Sequence, residues 1–175
     1  MAITIRPLKV ADAEPCAALR RAMLLDSPAS FGSSPEDDLG SEVERVRDRL
    51  AGQTGQAVFG AFDRETQLVG SVGVWCQSKQ KEKHKASIWG MYVAPSFRRK
   101  GVGRQLMEAA IDFARAHGGV TQIQLSVSAS APGARRLYES LGFVVWGIEP
   151  NALCVGGKLF DEHHMTLDLT GAPAQ

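Results

Sequence analysis

Met91-Tyr-Val-Ala-Pro-Ser-Phe-Arg-Arg-Lys-Gly-Val-Gly-Arg-Gln-Leu106 is the stretch on which the fold turns. A β-rich run feeds a turn dense in Arg, Lys and Gly, and the turn opens directly into an amphipathic helix. A helix N-terminus carries unpaired N–H groups and a partial positive charge, so it attracts phosphate. Gly101 and Gly103 take side chains away where a ligand must come close to the backbone. Arg98, Arg99, Lys100 and Arg104 crowd positive charge around the same place. Two other phosphate motifs are excluded. Gly101-x-Gly103-x-x-Leu106 lacks the third glycine of a dinucleotide fingerprint, and no Gly-Lys-Ser/Thr follows as in a nucleoside-triphosphate loop.

Working outward, Lys85 to Val93 reads as the strand before this turn, with Gly90 at a bulge and Pro95 ending it. Gly101 to His117 reads as the helix, stopped by Gly118-Gly119. Gln122 to Val127 is the next strand. Together these predict a β-loop-α-β unit with a right-handed crossover. Upstream, Ala57–Phe62 and Leu68–Cys76 form a hairpin around a five-residue loop. Ile3 to Pro7 reads as an edge strand, and Asp12 as the cap of a first helix bearing Cys16, Leu19 and Met23 on one face. Ser34-Pro35 predicts the start of a second helix, with Leu39, Val43, Val46 and Leu50 on one side. Downstream, a short helix is expected over Pro132 to Leu141, then strands at Phe143–Gly147 and His163–Leu169. The segment between those strands, containing Pro150 and Gly156-Gly157, reads as a loop.

The chain has 175 residues, 44% apolar and 22% charged, with a net charge of +1. That suits a single domain over residues 1–170 with a frayed tail at 171–175. A balanced charge gives no reason to expect nucleic acid as a partner. No apolar run approaches the ~18 residues that span a bilayer, so no membrane partner is expected. The first residues lack the basic segment and apolar core of a secretion signal. Cys16, Cys76 and Cys154 form no CxxC pair and read as reduced core fillers, which implies a cytoplasmic protein. Trp75, Trp89 and Trp146 read as core residues, with stacking on an acceptor as the alternative. Ser78 to Lys85 reads as a solvated loop tip.

A second motif lies downstream: Ala134-Arg-Arg-Leu-Tyr138-Glu-Ser-Leu-Gly142-Phe143. With Arg98-Arg-Lys-Gly101-Val-Gly103, it resembles the GCN5-related N-acetyltransferase superfamily, whose pyrophosphate loop reads Gln/Arg-x-x-Gly-x-Gly/Ala. The resemblance covers roughly residues 3 to 169. It implies an α/β (mixed α+β) fold: a twisted, mostly antiparallel sheet of six to seven strands with one parallel, splayed pair, flanked by about four helices. It also implies acetyl-CoA as cosubstrate, no metal, and a homodimer by analogy.

Site residues follow from the same resemblance. Met91, Tyr92 and Val93 would hold the pantetheine arm like an added strand. Residues Arg98, Arg99, Lys100, Gly101, Val102, Gly103 and Arg104 would cradle the pyrophosphate. An amide near Gly90–Met91 would serve as oxyanion donor. Tyr138 falls at the general-acid position. The pattern also departs from the family. Ala86 to Met91 holds no carboxylate to act as base, the next strand has Ser126 where some relatives carry Glu, and Ala131 stands where Asn is frequent. The base is therefore unassigned. In Asp161-Glu-His-His-Met165, alternation puts Glu162 and His164 on one strand face and His163 on the other. The acceptor side is expected around Phe31, Glu36, Trp89, Glu149, Glu162 and His164. A metal at the His pair is disfavoured, since no i, i+4 partner or nearby Cys accompanies it.

The function implied is transfer of an acetyl group to a primary amine of a small molecule. A protein N-terminal or lysine acetyltransferase, and a non-catalytic acyl-CoA sensor, are the alternatives.

Overall fold

A computed structural model describes residues 2–52 and 54–171; residues 172–175 of the expected tail lie outside them. Alternating and apolar-rich segments build one sheet: β1 (Thr4–Pro7), β2 (Gln56–Phe62), β3 (Leu68–Cys76), β4 (Lys85–Val93), β5 (Gln122–Ser128), β6 (Val144–Val155) and β7 (Lys158–Asp168). The helices are α1 (Ala13–Asp26), α2 (Val43–Leu50), α3 (Val102–Ala116) and α4 (Pro132–Ser140). Strand order is β1-β2-β3-β4-β5-β7-β6. Every neighbouring pair is antiparallel except β4–β5, the two ends of the expected crossover unit.

Strand alternation sends side chains to two layers. Ile123, Leu125, Val127, Met165 and Leu167 face α3 and α4, meeting Leu106, Met107 and Phe143 in the main core. The opposite face of β2–β4 meets α1 through Leu24, Met23, Phe62 and Tyr92. Ala13 and Ala17 of α1 close against Val46 of α2. The sheet therefore separates an α3/α4 side from an α1/α2 side. Among the described residues, no helix is long and apolar enough to cross a membrane.

Four sequence expectations are corrected. The second helix begins at Val43, not at Pro35, and Leu39 is exposed. Asp38 explains this: its carboxylate takes two hydrogen bonds from Arg20 of α1, at 2.7 and 3.0 Å, and anchors the segment as a loop. Asp12 does not cap α1 with its side chain. Its carboxylate accepts from the Arg6 guanidinium and the Lys9 amide instead. The expected loop between the last strands is absent: β6 and β7 form one long hairpin turning at Gly156-Gly157. Pro150 is tolerated because β6 is an edge strand and its pairing with β7 is interrupted between Glu149 and Leu153. Finally, none of the three tryptophans is core: Trp75, Trp89 and Trp146 are 47%, 36% and 62% exposed.

Candidate active site

The parallel pairing of β4 and β5 lasts three positions, Lys85↔Gln122, Ala86↔Ile123 and Ser87↔Gln124. Past these the strands diverge around a cleft of about 810 Å³. Two features keep them apart. Gly90, at φ +61°, bulges β4 where its register against β3 slips between Ser71 and Gly73. β5 meanwhile stays paired to β7 as far as Ser128. The backbone of β4 therefore faces a gap, which an extended ligand can fill as a strand would.

The mouth of the gap is the basic turn. Arg99 (φ 58°) and Gly101 (φ +79°) are left-handed, and Gly101 caps α3. None of the amides of residues 99–104 donates a hydrogen bond to a described residue. Alternating backbone hand with a run of free N–H groups makes an anion-binding concavity at the positive end of a helix dipole. Gly103 is needed for clearance: a Cβ there would stand 3.1 Å from Met91 Cε and 3.2 Å from Leu137 Cδ2.

The basic side chains contribute less than their number suggests. Arg98 donates from Nε to the Val93 carbonyl at 2.8 Å and pairs with Asp26, lying over the Tyr92 ring. It ties the end of β4 to the end of α1. Burial alone would raise Asp26, but hydrogen bonds from Arg98 and Ser27 outweigh it and hold the carboxyl below its ordinary range. Lys100 donates to the Ser96 carbonyl and does not line the cleft. Val102 is buried in the core, so only its amide is available. Arg104 reaches Ser140 at 2.7 Å and Glu108 at 3.6 Å. Met91, Tyr92, Val93, Arg99, Gly101, Gly103 and Arg104 all line the cleft.

Tyr138 lines the α4 wall and is 6% exposed. Burial pushes its phenol up to about 12, and no charged group offsets the shift. At neutral pH it is a hydrogen-bond donor throughout.

The six residues expected on the acceptor side fall in different places. Phe31 and Trp89 line the cleft. Trp89 lies against Gly73, where a Cβ would sit 2.1 Å from the ring, with the Arg49 guanidinium 5.1 Å from its centroid. Glu36 is exposed in a turn and does not reach the cleft. His164, Glu149 and Glu162 do not line it either, but they meet on the α1/α2 side of the hairpin. His164 Nε2 is 3.0 Å from a Glu149 carboxylate oxygen, and Nδ1 is 2.9 Å from Ser126 Oγ. Burial raises Glu162, as does Glu149, while His164 works against the shift. His163 points the other way, toward Arg135 of α4. Ser126 does line the cleft, as do Ser128 and Ser130. Sequence reading registered Ser126 only as a missing glutamate. Its hydrogen-bond partner, His164, lies across the strand, a pairing that no local pattern displays.

The geometry fits a cosubstrate carrying a diphosphate and a long, slender arm. A model of the acetyltransferase (GNAT) family matches residues 18–143. Streptothricin acetyltransferase of Streptomyces lavendulae is 31% identical over 142 residues, 81% of this chain and 67% of that protein. The [ribosomal protein bS18]-alanine N-acetyltransferase of Salmonella typhimurium is 46% identical over 59 residues, 34% of this chain; the chain spans 39% of that relative's length. Among solved structures, yncA from Salmonella typhimurium, with its cofactor acetyl-CoA, superposes with a TM-score of 0.80 at 24% identity, covering 100% of this chain and 98% of the other.

Proposed function

Because the chain belongs to the acetyltransferase (GNAT) family, we propose that it transfers the acetyl group of acetyl-CoA to a primary amine of a small molecule by direct attack with both bound. The observation that carries this reading is the run of unpartnered amides at residues 99–104, opening into a gap that lacks its neighbouring strand. Those amides hold the pyrophosphate, with Arg99 and Arg104 beside it. The β4 edge from Met91 to Val93 aligns the pantetheine arm. Acetyl-CoA supplies an activated acyl group.

The chain's own residues then have three tasks. An amide at the Gly90–Met91 bulge meets the charge that develops on the carbonyl oxygen. The two walls exclude water, so each hydrogen bond inside is stronger than in solvent. Tyr138 donates its phenolic O–H toward the departing sulfur. A phenol near 12 is a weak acid, but a thiolate in the same dry wall is made more basic by desolvation as well, which narrows the mismatch.

The loop after α1 favours a small acceptor over a peptide. Ser130 Oγ donates to the Ala29 carbonyl at 3.3 Å, so the Pro28–Ser30 turn crosses to the end of β5 and narrows the acceptor side. The bS18-alanine N-acetyltransferase match supports protein N-termini as a second reading. Thiol release from acetyl-CoA with a panel of small amines and Ala-starting peptides tests both. Turnover with small amines and not peptides is expected. The reverse would establish the second reading. Tight acetyl-CoA binding without release for any acceptor would leave a sensor.

A further inference from the structure

The missing carboxylate of β4 leaves the reaction without a base in its usual place, and the hairpin supplies one. We infer that His164 is the general base of this protein, reached by the acceptor amine through Ser126 and held in its working tautomer by Glu149. This inference rests on the acetyltransferase reading.

Three observations place the relay. First, continuing the parallel register two residues past Ser87↔Gln124 sets Ser126 level with Trp89 across the gap, one residue before the Gly90 bulge. The bulge is where the carbonyl oxygen would be held, so Ser126 stands beside the reacting carbon. Second, Ser126 and His164 are direct partners in the β5–β7 ladder, and Glu149 lies on the neighbouring β6. Three strands fix the chain at 2.9 and 3.0 Å. A Glu149 carboxylate only accepts, so the proton of neutral His164 sits on Nε2, leaving Nδ1 to accept from Ser126. The Trp146 ring, 5.5 Å from the imidazole, restricts its rotation. Third, Ser126 and Tyr138 lie on opposite faces of the sheet. Protons are thus taken from the amine on the α1/α2 side and given to sulfur on the α4 side.

The protons balance. The ammonium of the acceptor passes one proton to Ser126 Oγ as Ser126 passes its own to His164 Nδ1. The charged imidazole is stabilised by Glu149 and releases its proton to solvent. The free amine then forms the C–N bond as the C–S bond breaks. The second proton lost from nitrogen balances the one that sulfur gains through Tyr138. The net products are the amide, the CoA thiol and one proton. Among the described residues, the charged groups facing His164 are Glu149 and Glu162; Arg135 faces His163 on the far side.

The test is the pH dependence of kcat/KM, measured by thiol release for wild type, His164→Gln, Glu149→Gln and Ser126→Ala. Acetyl-CoA thermal shifts are recorded in parallel. Wild type should lose kcat/KM on the acid side in a limb that His164→Gln abolishes. His164→Gln should fall roughly 100-fold near neutrality and recover only as the pH approaches the amine's own pKa, with its acetyl-CoA shift intact. Glu149→Gln should lower kcat/KM by less than His164→Gln does, with its acetyl-CoA shift intact, since it frees the imidazole that Glu149 holds at 3.0 Å. Ser126→Ala removes one exposed hydroxyl, retains the fold, and should fall like His164→Gln. A His164→Gln or Ser126→Ala enzyme within about twofold of wild type, with the acid limb unmoved, overturns the relay alone. Absence of thiol release by wild type with every amine overturns the proposed function and the relay with it.

Discussion

Replacing Tyr138 by phenylalanine deletes one oxygen from the α4 wall and separates packing from chemistry. The side chain is nearly fully buried, and burial holds its phenol near 12 against an ordinary value of 10. The folded pKa is raised, so stability is unaffected below about 10 and is lost as pH rises through 12. The unfolded chain ionises first, and the folded state must keep a proton that the unfolded state sheds. That displacement is worth about 2.7 kcal/mol once the pH is well above 12, and about half of that at pH 11. Tyr138→Phe escapes this loss. Its melting temperature should match wild type near pH 8 and exceed it near pH 11. Tyrosinate absorbance reports the same event directly, because the chain has only two tyrosines, Tyr92 and Tyr138. At neutral pH the variant should bind acetyl-CoA within about twofold of wild type and turn over roughly 10²-fold more slowly. Unchanged turnover would remove Tyr138 from the reaction. A phenol in the wild-type Tyr138 position titrating near 10 would refute the burial argument from which the rest follows.

Other perturbations probe the remaining parts. Gly103→Val adds methyl groups where a Cβ already crowds Met91 and Leu137; CoA affinity should fall by about 10-fold or more with little change in melting temperature, read by calorimetry and thermal shift. Asp38→Asn leaves Arg20 half-buried without its carboxylate and should cost about 1–3 kcal/mol at pH 7 by urea unfolding. Hydrogen bonding to Arg20 lowers the Asp38 pKa, so this difference should hold above the ordinary carboxylate range and vanish as pH falls through the folded value. Trp89→Ala should raise the acceptor KM while leaving CoA affinity unchanged, since Trp89 lines the cleft on the side proposed for the acceptor.

What the sequence displayed and what it hid divide along a physical line. Residues 85–128 were legible because a bulge glycine, a proline stop, a left-handed glycine cap and an apolar helix stripe all act within a few residues of one another. Lys85–Val93 falls where expected, and Tyr138 lines the cleft that the two motifs predict. The errors arose where a distant contact overrode local preference. Ser34-Pro35 is an acceptable helix start, but Asp38 is captured by Arg20, 18 residues earlier. Pro150 looks like the end of a strand, and would be in the middle of a sheet. On an edge strand, where the ladder is already interrupted, it breaks nothing. The tryptophans are exposed because alternation sets the face, and hydrophobicity alone does not.

The same line explains why the proposed acid could be named from sequence and the proposed base could not. Tyr138 and Gly142 belong to one helix and its exit, so their spacing is a fixed covalent fact. Ser126, Glu149 and His164 span 38 residues and come together only through the register of three strands. Slipping β7 by one residue would turn His164 to the α4 side and bring His163 to face Ser126. Register is protected there by Met165 and Leu167, which are buried against α3 and α4 and would be forced into solvent by the slip. The apolar face of β7 therefore selects which histidine faces Ser126.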